Sequence, residues 1–202
     1  SSSAAVTVGN GGTLAGTALL QNVTVQKGGT ILGGLGTTGT GVLRLNGNLV
    51  MNEGSSMRCL MGNNTGNARV NVKGSITHNG DTLVIVVPAS RKLSVGDEIQ
   101  VFSTGFSSAS GEVVVRSECE DYRYEFDSSL LNSDGKVTVT LVEELALRGD
   151  VNGDKVVNGT DIQEVINFII AGVYDEKADV NGDGVVNGTD IQEIINIIVN
   201  AD

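Results

Sequence analysis

Tryptophan is absent from the 202-residue chain, histidine and proline each occur once, and aromatic residues make up only 3%. A chain so poor in rings must build its core from Val, Ile and Leu. Its 28 glycines point to short strands joined by tight turns. No basic stripe exists, since 13 Lys and Arg stand against 24 Asp and Glu for a net charge of −11. Nothing in such a chain neutralises phosphate, which excludes nucleic acid as a partner. No apolar run approaches the ~20 residues that cross a bilayer, so no membrane span is expected. No Gly-rich loop ends in the Lys-Ser or Lys-Thr of a phosphate cradle, and no nucleophile elbow is present. The chain opens SSSAAVTV, without initiator Met or signal peptide, and reads as a mature or excised segment. Cys59 and Cys119 leave two readings open, one disulfide or two buried thiols.

What is present is unevenly spread. Residues 149–202 hold 11 acidic side chains against Lys155 and Lys177, a net of −9, while residues 1–148 come to only −2. Charge that concentrated calls for a metal or a cationic partner. The same segment carries an internal repeat. DVNGDKVVNGTDIQEVINFII (150–170) recurs 29 residues later as DVNGDGVVNGTDIQEIINIIV (179–199), with four differences in 21 positions. Each copy divides into a polar loop and an apolar-periodic helix. The spacing predicts a buried stripe of Ile162, Val165, Ile166 and Ile169 in the first, and of Ile191, Ile194, Ile195 and Ile198 in the second. Short amphipathic helices are marginal alone, so the two are expected to pack on each other.

Each loop reads as a 12-residue cage of oxygens for Ca²⁺, a hard cation that takes six to eight such ligands. The first cage places them at Asp150, Asn152, Asp154, Val156 (through its carbonyl), Asn158 and Asp161. The second uses Asp179, Asn181, Asp183, Val185, Asn187 and Asp190. The expectation is two Ca²⁺ ions, one per loop, and poor zinc binding because neither loop holds His or Cys. Two features depart from an ordinary EF-hand: Asp closes each loop where Glu is usual, and no helix precedes the loop. In both respects residues 149–202 resemble the type I dockerin, a module that plugs enzymes into cohesin domains. The resemblance implies a contact face at Gly159, Thr160, Ile166 and Asn167 and again at Gly188, Thr189, Ile195 and Asn196. Ile166 and Ile195 also fall on the predicted apolar stripe, which assigns those two to internal packing. The face lacks the hydroxyl pair and basic residue that clostridial versions favour, so a different cohesin-like partner is implied. Docking onto the chain's own β domain is the alternative. Lys155 stands where the second loop has Gly184, which points to a weaker first site.

Residues 1–142 look all-β. Segments such as NVTVQ (22–26), VLRLNGNLVMN (42–52), ARVNVKGSITH (68–78) and DTLVIVV (81–87) are separated by turn signals at Asn10-Gly11, Gly28-Gly29, Asn46-Gly47, Glu53-Gly54 and Asn79-Gly80. Such short strands with frequent Gly favour a parallel β-solenoid over a sandwich. The stretches GGTLAG (11–16), NVTVQKGGTILGG (22–34), LRLNGNLVMNEGSSM (43–57), VKGSITHNGDTLVIVV (72–87) and VGDEIQVFSTG (95–105) resemble autotransporter passenger-type repeats. Residues 107–142 are expected to form an antiparallel cap, with 143–148 a short linker.

Other features read as structural. His78 sits beside the Asn79-Gly80 turn and is taken as a solvated turn residue. ECEDYRYEFD (118–127) alternates like a half-buried strand rather than a glycosidase carboxylate pair. Arg44, Arg58, Arg69 and Lys73 have no acidic ligand cluster beside them. Asn158-Gly-Thr and Asn187-Gly-Thr match glycosylation sequons but lie inside the metal loops. The whole is expected to be a non-catalytic attachment fragment of an exported bacterial protein, secreted or at the cell surface. The alternatives are the tail of a carbohydrate-active enzyme or a polysaccharide-binding β domain.

Overall fold

A computed structural model describes residues 5–34, 39–63, 66–103 and 107–200. The last residues of the 95–105 stretch fall outside them. The chain divides into two compact units, with the boundary between Glu144 and Leu145.

The first unit is built on three parallel sheets that the chain visits in rotation. One sheet stacks β1 (Val6–Val8), β4 (Val23–Val25), β7 (Leu49–Met51), β10 (Ser75–His78) and β14 (Ser108–Ser110). A second stacks β2 (Thr13–Gly16), β5 (Thr30–Gly33), β8 (Ser56–Leu60), β11 (Asp81–Val86) and β15 (Val113–Glu118). The third stacks β3 (Leu19–Leu20), β6 (Val42–Leu45), β9 (Arg69–Val72) and β13 (Phe102–Ser103). Every pairing among these strands is parallel. VLRLNGNLVMN and ARVNVKGSITH each break at their central turn and give one strand to each of two sheets.

The pairing register turns alternation along each strand into apolar columns through the unit. Val23, Leu49 and Ile76 lie one above another, as do Ile31, Met57 and Leu83, and all six are buried. One corner is a column of glycines in the left-handed region, where only glycine is unstrained. Gly11, Gly28, Gly54 and Gly80 have φ of 73, 72, 72 and 81°. Each of the first three donates its N–H to the carbonyl of the next. Asparagines knit another corner: Asn48 N–H donates to Asn22 Oδ1 at 2.8 Å, and Ser75 N–H to Asn48 Oδ1 at 2.9 Å.

The antiparallel part begins later than the sequence suggests. Residues 108–118 make one more parallel pass, β14 on β10 and β15 on β11, because Ala109 continues the Ile76 column and Val115 the Leu83 column. Only then do β16 (Tyr122–Asp127) and β17 (Lys136–Glu144) pair antiparallel, joined by β12 (Glu98–Gln100) and separated by the one-turn α1 (Leu131–Asp134). Of the stretch 118–127, Glu118 ends β15 and Tyr122–Asp127 form β16, where the alternation holds: Tyr124 is buried and its hydroxyl accepts the Leu93 N–H at 3.3 Å.

His78 is not a solvated turn residue. It is 2% exposed, and the register places it in the inward column of Val8, Val25 and Met51. The turn signal was correctly placed, but the residue before a turn still faces inward when the strand's parity puts it there. Its Nδ1 lies 3.0 Å from both carboxylate oxygens of Asp81, itself 0% exposed, and its ring packs on Phe102 at 5.8 Å. Removing one member strands the other without a partner. Asp81→Ala should therefore cost about 3 kcal/mol of the β unit's stability, read by denaturant unfolding. His78→Met with Asp81→Val together should cost less than Asp81→Ala alone.

Both thiols are free. Cys59 is buried, and burial pushes its thiol up to about 12, so it behaves as a small apolar core residue.

The second unit holds α2 (Gly159–Ala171) and α3 (Gly188–Asn200), packed around Val151, Val165, Ala178, Val180 and Ile194. The buried face keeps Ile162, Val165, Ile191, Ile194 and Ile198 of the predicted stripe, while Phe168 and Ile197 join it in place of Ile166, Ile169 and Ile195. In α2 it runs through Ile162, Val165 and Phe168, and in α3 through Ile191, Ile194, Ile197 and Ile198. Ile166 lies outside this core, and Ile169 and Ile195 are each 38% exposed. At the helix starts Asp161 and Asp190 are fully buried and extend this face by one polar residue in each helix.

Candidate functional site

Each helix starts from the loop before it, and the loop's own side chains set that start. Asn158 is the N-cap of α2: its Oδ1 accepts the Thr160 N–H at 2.8 Å, while Asp161 Oδ2 accepts the Asn158 N–H at 2.9 Å, closing a capping box. Asn187 and Asp190 repeat the arrangement at α3, at 2.8 and 2.9 Å. Gly172 ends α2 in the left-handed region, φ 64°, and returns its N–H to Ile169.

Inside the first loop the acidic side chains turn inward onto the loop's backbone. Asp150 Oδ1 accepts from Gly153 and Asp154, at 2.9 and 3.0 Å, and its Oδ2 from Lys155 at 2.9 Å. Asn152 Oδ1 accepts from Asp154, and Asp154 Oδ1 from Val156. Asp161 Oδ1 reaches back across the loop to the N–H groups of Val151 and Asn152, at 2.9 and 3.2 Å. The second loop repeats this pattern. Asp179 accepts from Asp183 and Gly184, Asn181 from Asp183, Asp183 from Val185, and Asp190 from Asn181. Near-identical sequence has produced near-identical hydrogen bonding.

The residues expected as ligands are thus brought together loop by loop, with Asp150, Asn152, Asp154 and Asp161 linked through one short stretch of backbone, as are Asp179, Asn181, Asp183 and Asp190. Val156 and Val185 each offer a carbonyl, which accepts from the Nδ2 of Asn158 and of Asn187 at 3.3 Å. Among the described residues, no group of three or more His, Cys, Asp or Glu is gathered tightly enough to form a ready-made metal cluster. The carboxylates satisfy backbone donors instead. The donor set is oxygen throughout, three carboxylates and two amides per loop, which fits a hard divalent cation in each.

The loops differ in two respects. Lys155 has φ 70°, where Gly184 has φ 87°; a side chain in the left-handed region is strained and glycine is not. Tyr174 donates its hydroxyl to Asp179 Oδ2 at 3.2 Å, a contact on the second loop that no spacing rule signals. Arg148, immediately before the first loop, was also missed. Its Nε donates to the Val180 carbonyl at 3.0 Å, and its Nη2 pairs with Glu193 at 2.8 Å, fastening the start of the first repeat to the second.

The residues expected at a contact face lie on the outer side. Thr160, Gln163, Asn167 and Ile170 follow one another along exposed positions of α2, and Thr189, Gln192, Asn196 and Val199 do so on α3. Gly159 and Gly188, which open the two helices, are also exposed. Ile170 and Val199 are 79 and 68% exposed. Neither helix carries Lys or Arg. Of the basic residues singled out in the first unit, Arg58 is bound through both its terminal nitrogens to Glu118, and Arg44 Nη1 donates to the nearby Val42 carbonyl.

Residues 148–199 match the family model of the dockerin type I domain. That segment of the chain is a type I dockerin module, in line with the duplicated loop and helix. No curated protein matches the chain. No helix among the described residues is long and apolar enough to cross a membrane.

Proposed function

We propose that the chain is a non-catalytic attachment protein that works outside the bacterial cell. Its C-terminal unit binds two Ca²⁺ ions and docks onto a cohesin domain, and its β unit is a solenoid that serves as a spacer or adhesive body. The observation that carries the reading is the duplicated loop and helix within a segment matching the dockerin type I domain. The rotation of the chain through three parallel sheets supports the solenoid.

Asp150, Asn152, Asp154, Asn158, Asp161 and the Val156 carbonyl would hold one ion. Asp179, Asn181, Asp183, Asn187, Asp190 and the Val185 carbonyl would hold the other. A bound cation offsets the repulsion among the loop carboxylates. The side chains already fold the loop in the sense an ion requires, because Asp161 ties its end to its beginning and Asp150 curls its first half. The asymmetry at Lys155 makes the first site the weaker. Lys155→Gly should tighten it about fivefold, relieving about 1 kcal/mol of backbone strain, as measured by Ca²⁺ titration of the two variants. An unchanged affinity would exclude strain at Lys155 as the cause.

The contact face on α2 and α3 combines Thr, Gln and Asn with Ile170 and Val199 and has no cationic side chain. It suits a cohesin surface read by hydrogen bonds and apolar burial, not by acidic residues. The two helices present the same order of groups, so either could make the contact. Calorimetry against a set of cohesin domains should detect binding in Ca²⁺ and none in chelator, with little change from roughly 0.1 to 1 M salt. Thr160→Asp with Asn167→Asp should weaken it slightly, and the same changes at Thr189 and Asn196 as well should abolish it. Failure to bind any cohesin, or equal binding in chelator, would refute the reading.

A further inference from the structure

The C-terminal unit holds four Asn-Gly steps, at 152–153, 158–159, 181–182 and 187–188. Asn-Gly is prone to lose ammonia, because glycine has no side chain to screen its nitrogen from the neighbouring amide carbon. The structure divides the four into two kinds. At Asn158 the side-chain Oδ1 accepts twice from Thr160, from its N–H at 2.8 Å and from its Oγ1 at 3.0 Å. Thr160 Oγ1 in turn accepts from Asn152 Nδ2 at 2.9 Å, which leaves the hydroxyl proton for Asn158. Asn187, Thr189 and Asn181 repeat this relay at 2.8, 3.0 and 2.7 Å. At Asn152 and Asn181 the Oδ1 meets a backbone donor without a hydroxyl beside it, the N–H of Asp154 or Asp183 at 2.8 Å.

The glycine nitrogens divide the same way. Gly153 donates to Asp150 Oδ1 at 2.9 Å and Gly182 to the Asp179 carbonyl at 3.3 Å. Gly159 and Gly188 open their helices, where an N–H has no helical carbonyl a turn earlier to meet, and both are exposed. The bond from Thr160 N–H folds the Asn158 side chain back over its own peptide link to Gly159. Once hydroxide removes its proton, the Gly159 nitrogen can bond to Asn158 Cγ, and negative charge gathers on Oδ1. Both Thr160 donors already point at that oxygen, as donors do in an oxyanion hole. The Cγ–Nδ2 bond then breaks and ammonia leaves, taking a proton from water. Water opens the resulting cyclic imide at either carbonyl, giving aspartate or isoaspartate. Overall water enters and ammonia departs, with nothing oxidised or reduced.

We propose that Asn158-Gly159-Thr160 and Asn187-Gly188-Thr189 are self-deamidation sites, with the Thr N–H and hydroxyl as oxyanion donors, converted by the folded unit ahead of its other Asn-Gly steps. Aspartate at either position adds a carboxylate to the loop. Isoaspartate carries the main chain through the former side chain, which ends the capping box and loosens the helix start. The proposal needs the loops folded as described and is independent of what the unit docks onto.

The test incubates the full chain in Ca²⁺ at mildly alkaline pH and follows deamidation at each of the four asparagines by peptide mass spectrometry. A parallel sample in denaturant lacks the folded loops. In the folded chain Asn158 and Asn187 should convert about tenfold or more faster than Asn152 and Asn181, and in denaturant the four should convert alike. Thr160→Val keeps the N–H donor and removes the hydroxyl. It should slow Asn158 about tenfold while Asn187, in the same molecule, keeps its rate, and Thr160→Ser should restore Asn158. Should Thr160→Val loosen the unit, seen as a changed rate at Asn187, the comparison of the four steps in the wild type decides. Equal rates at all four steps in the folded chain overturn the proposal. So does a preference that persists in denaturant, or a valine variant that keeps both rates.

Discussion

Chelating the calcium from this protein should abolish most of its helical circular dichroism while the β signal stays. The two helices of the C-terminal unit have 13 residues each, whereas the first unit contributes a single turn of four. The C-terminal core is small, five buried residues with a partly buried fringe, and the loop before each helix carries three aspartates, counting the one that closes it. A unit of that size rarely holds together without a staple. Ion binding to the folded form alone adds about 4 kcal/mol at a thousandfold excess over Kd, enough to decide whether such a unit folds. Thermal melting should thus show two transitions, of which only the C-terminal one moves with Ca²⁺. Limited proteolysis in chelator should leave a resistant fragment ending near residue 144. Equal helicity with and without chelator would contradict this.

The second large effect should come from the two aspartates at the helix starts. Asp161 and Asp190 are 0% exposed, close the capping boxes, and reach back to the beginning of their loops. Alanine leaves the Asn158 and Asn187 caps in place but removes the acceptor of their own N–H groups and of the loop N–H groups that Asp161 and Asp190 reach, at about 1–3 kcal/mol for each that is left unpaired. Asp161→Ala with Asp190→Ala should leave the unit unfolded even in millimolar Ca²⁺. The pair of Asn substitutions keeps an acceptor at each position and should fold at least partly, while binding the ion weakly. If the Ala and Asn pairs behave alike, the hydrogen bonds are not what these residues supply.

Much of this was legible in the sequence, for reasons that also explain the misses. The duplicated loops were readable because ligand chemistry fixes residue types at fixed spacing, and the 21-residue repeat doubled the signal. Parallel strands were readable from Gly and Asn recurring at corners that stack in register. His78 was misplaced because a turn signal says where the chain reverses, not which way the preceding side chain points; that depends on the column formed with Val25 and Met51. The extra parallel pass at 108–118 was hidden because SASGEVVVRSE alternates equally well for either pairing. The buried faces of the helices also include Asp161 and Asp190, which a periodicity of apolar residues cannot register. Arg148 acts on Val180, 32 residues along the chain, and Tyr174 reaches from the connector to Asp179, and no ligand spacing marks either.

The central claim is that the C-terminal unit is a pair of calcium cages whose filling and folding are one event. Titrating Ca²⁺ into the stripped chain, with heat and helical signal followed together, tests it directly. Two ions bound per chain are predicted, with helicity rising in step with occupancy, and with Asp150→Ala and Asp179→Ala together abolishing both. Binding of one ion or none, or helicity that is complete before any calcium is added, would contradict the account.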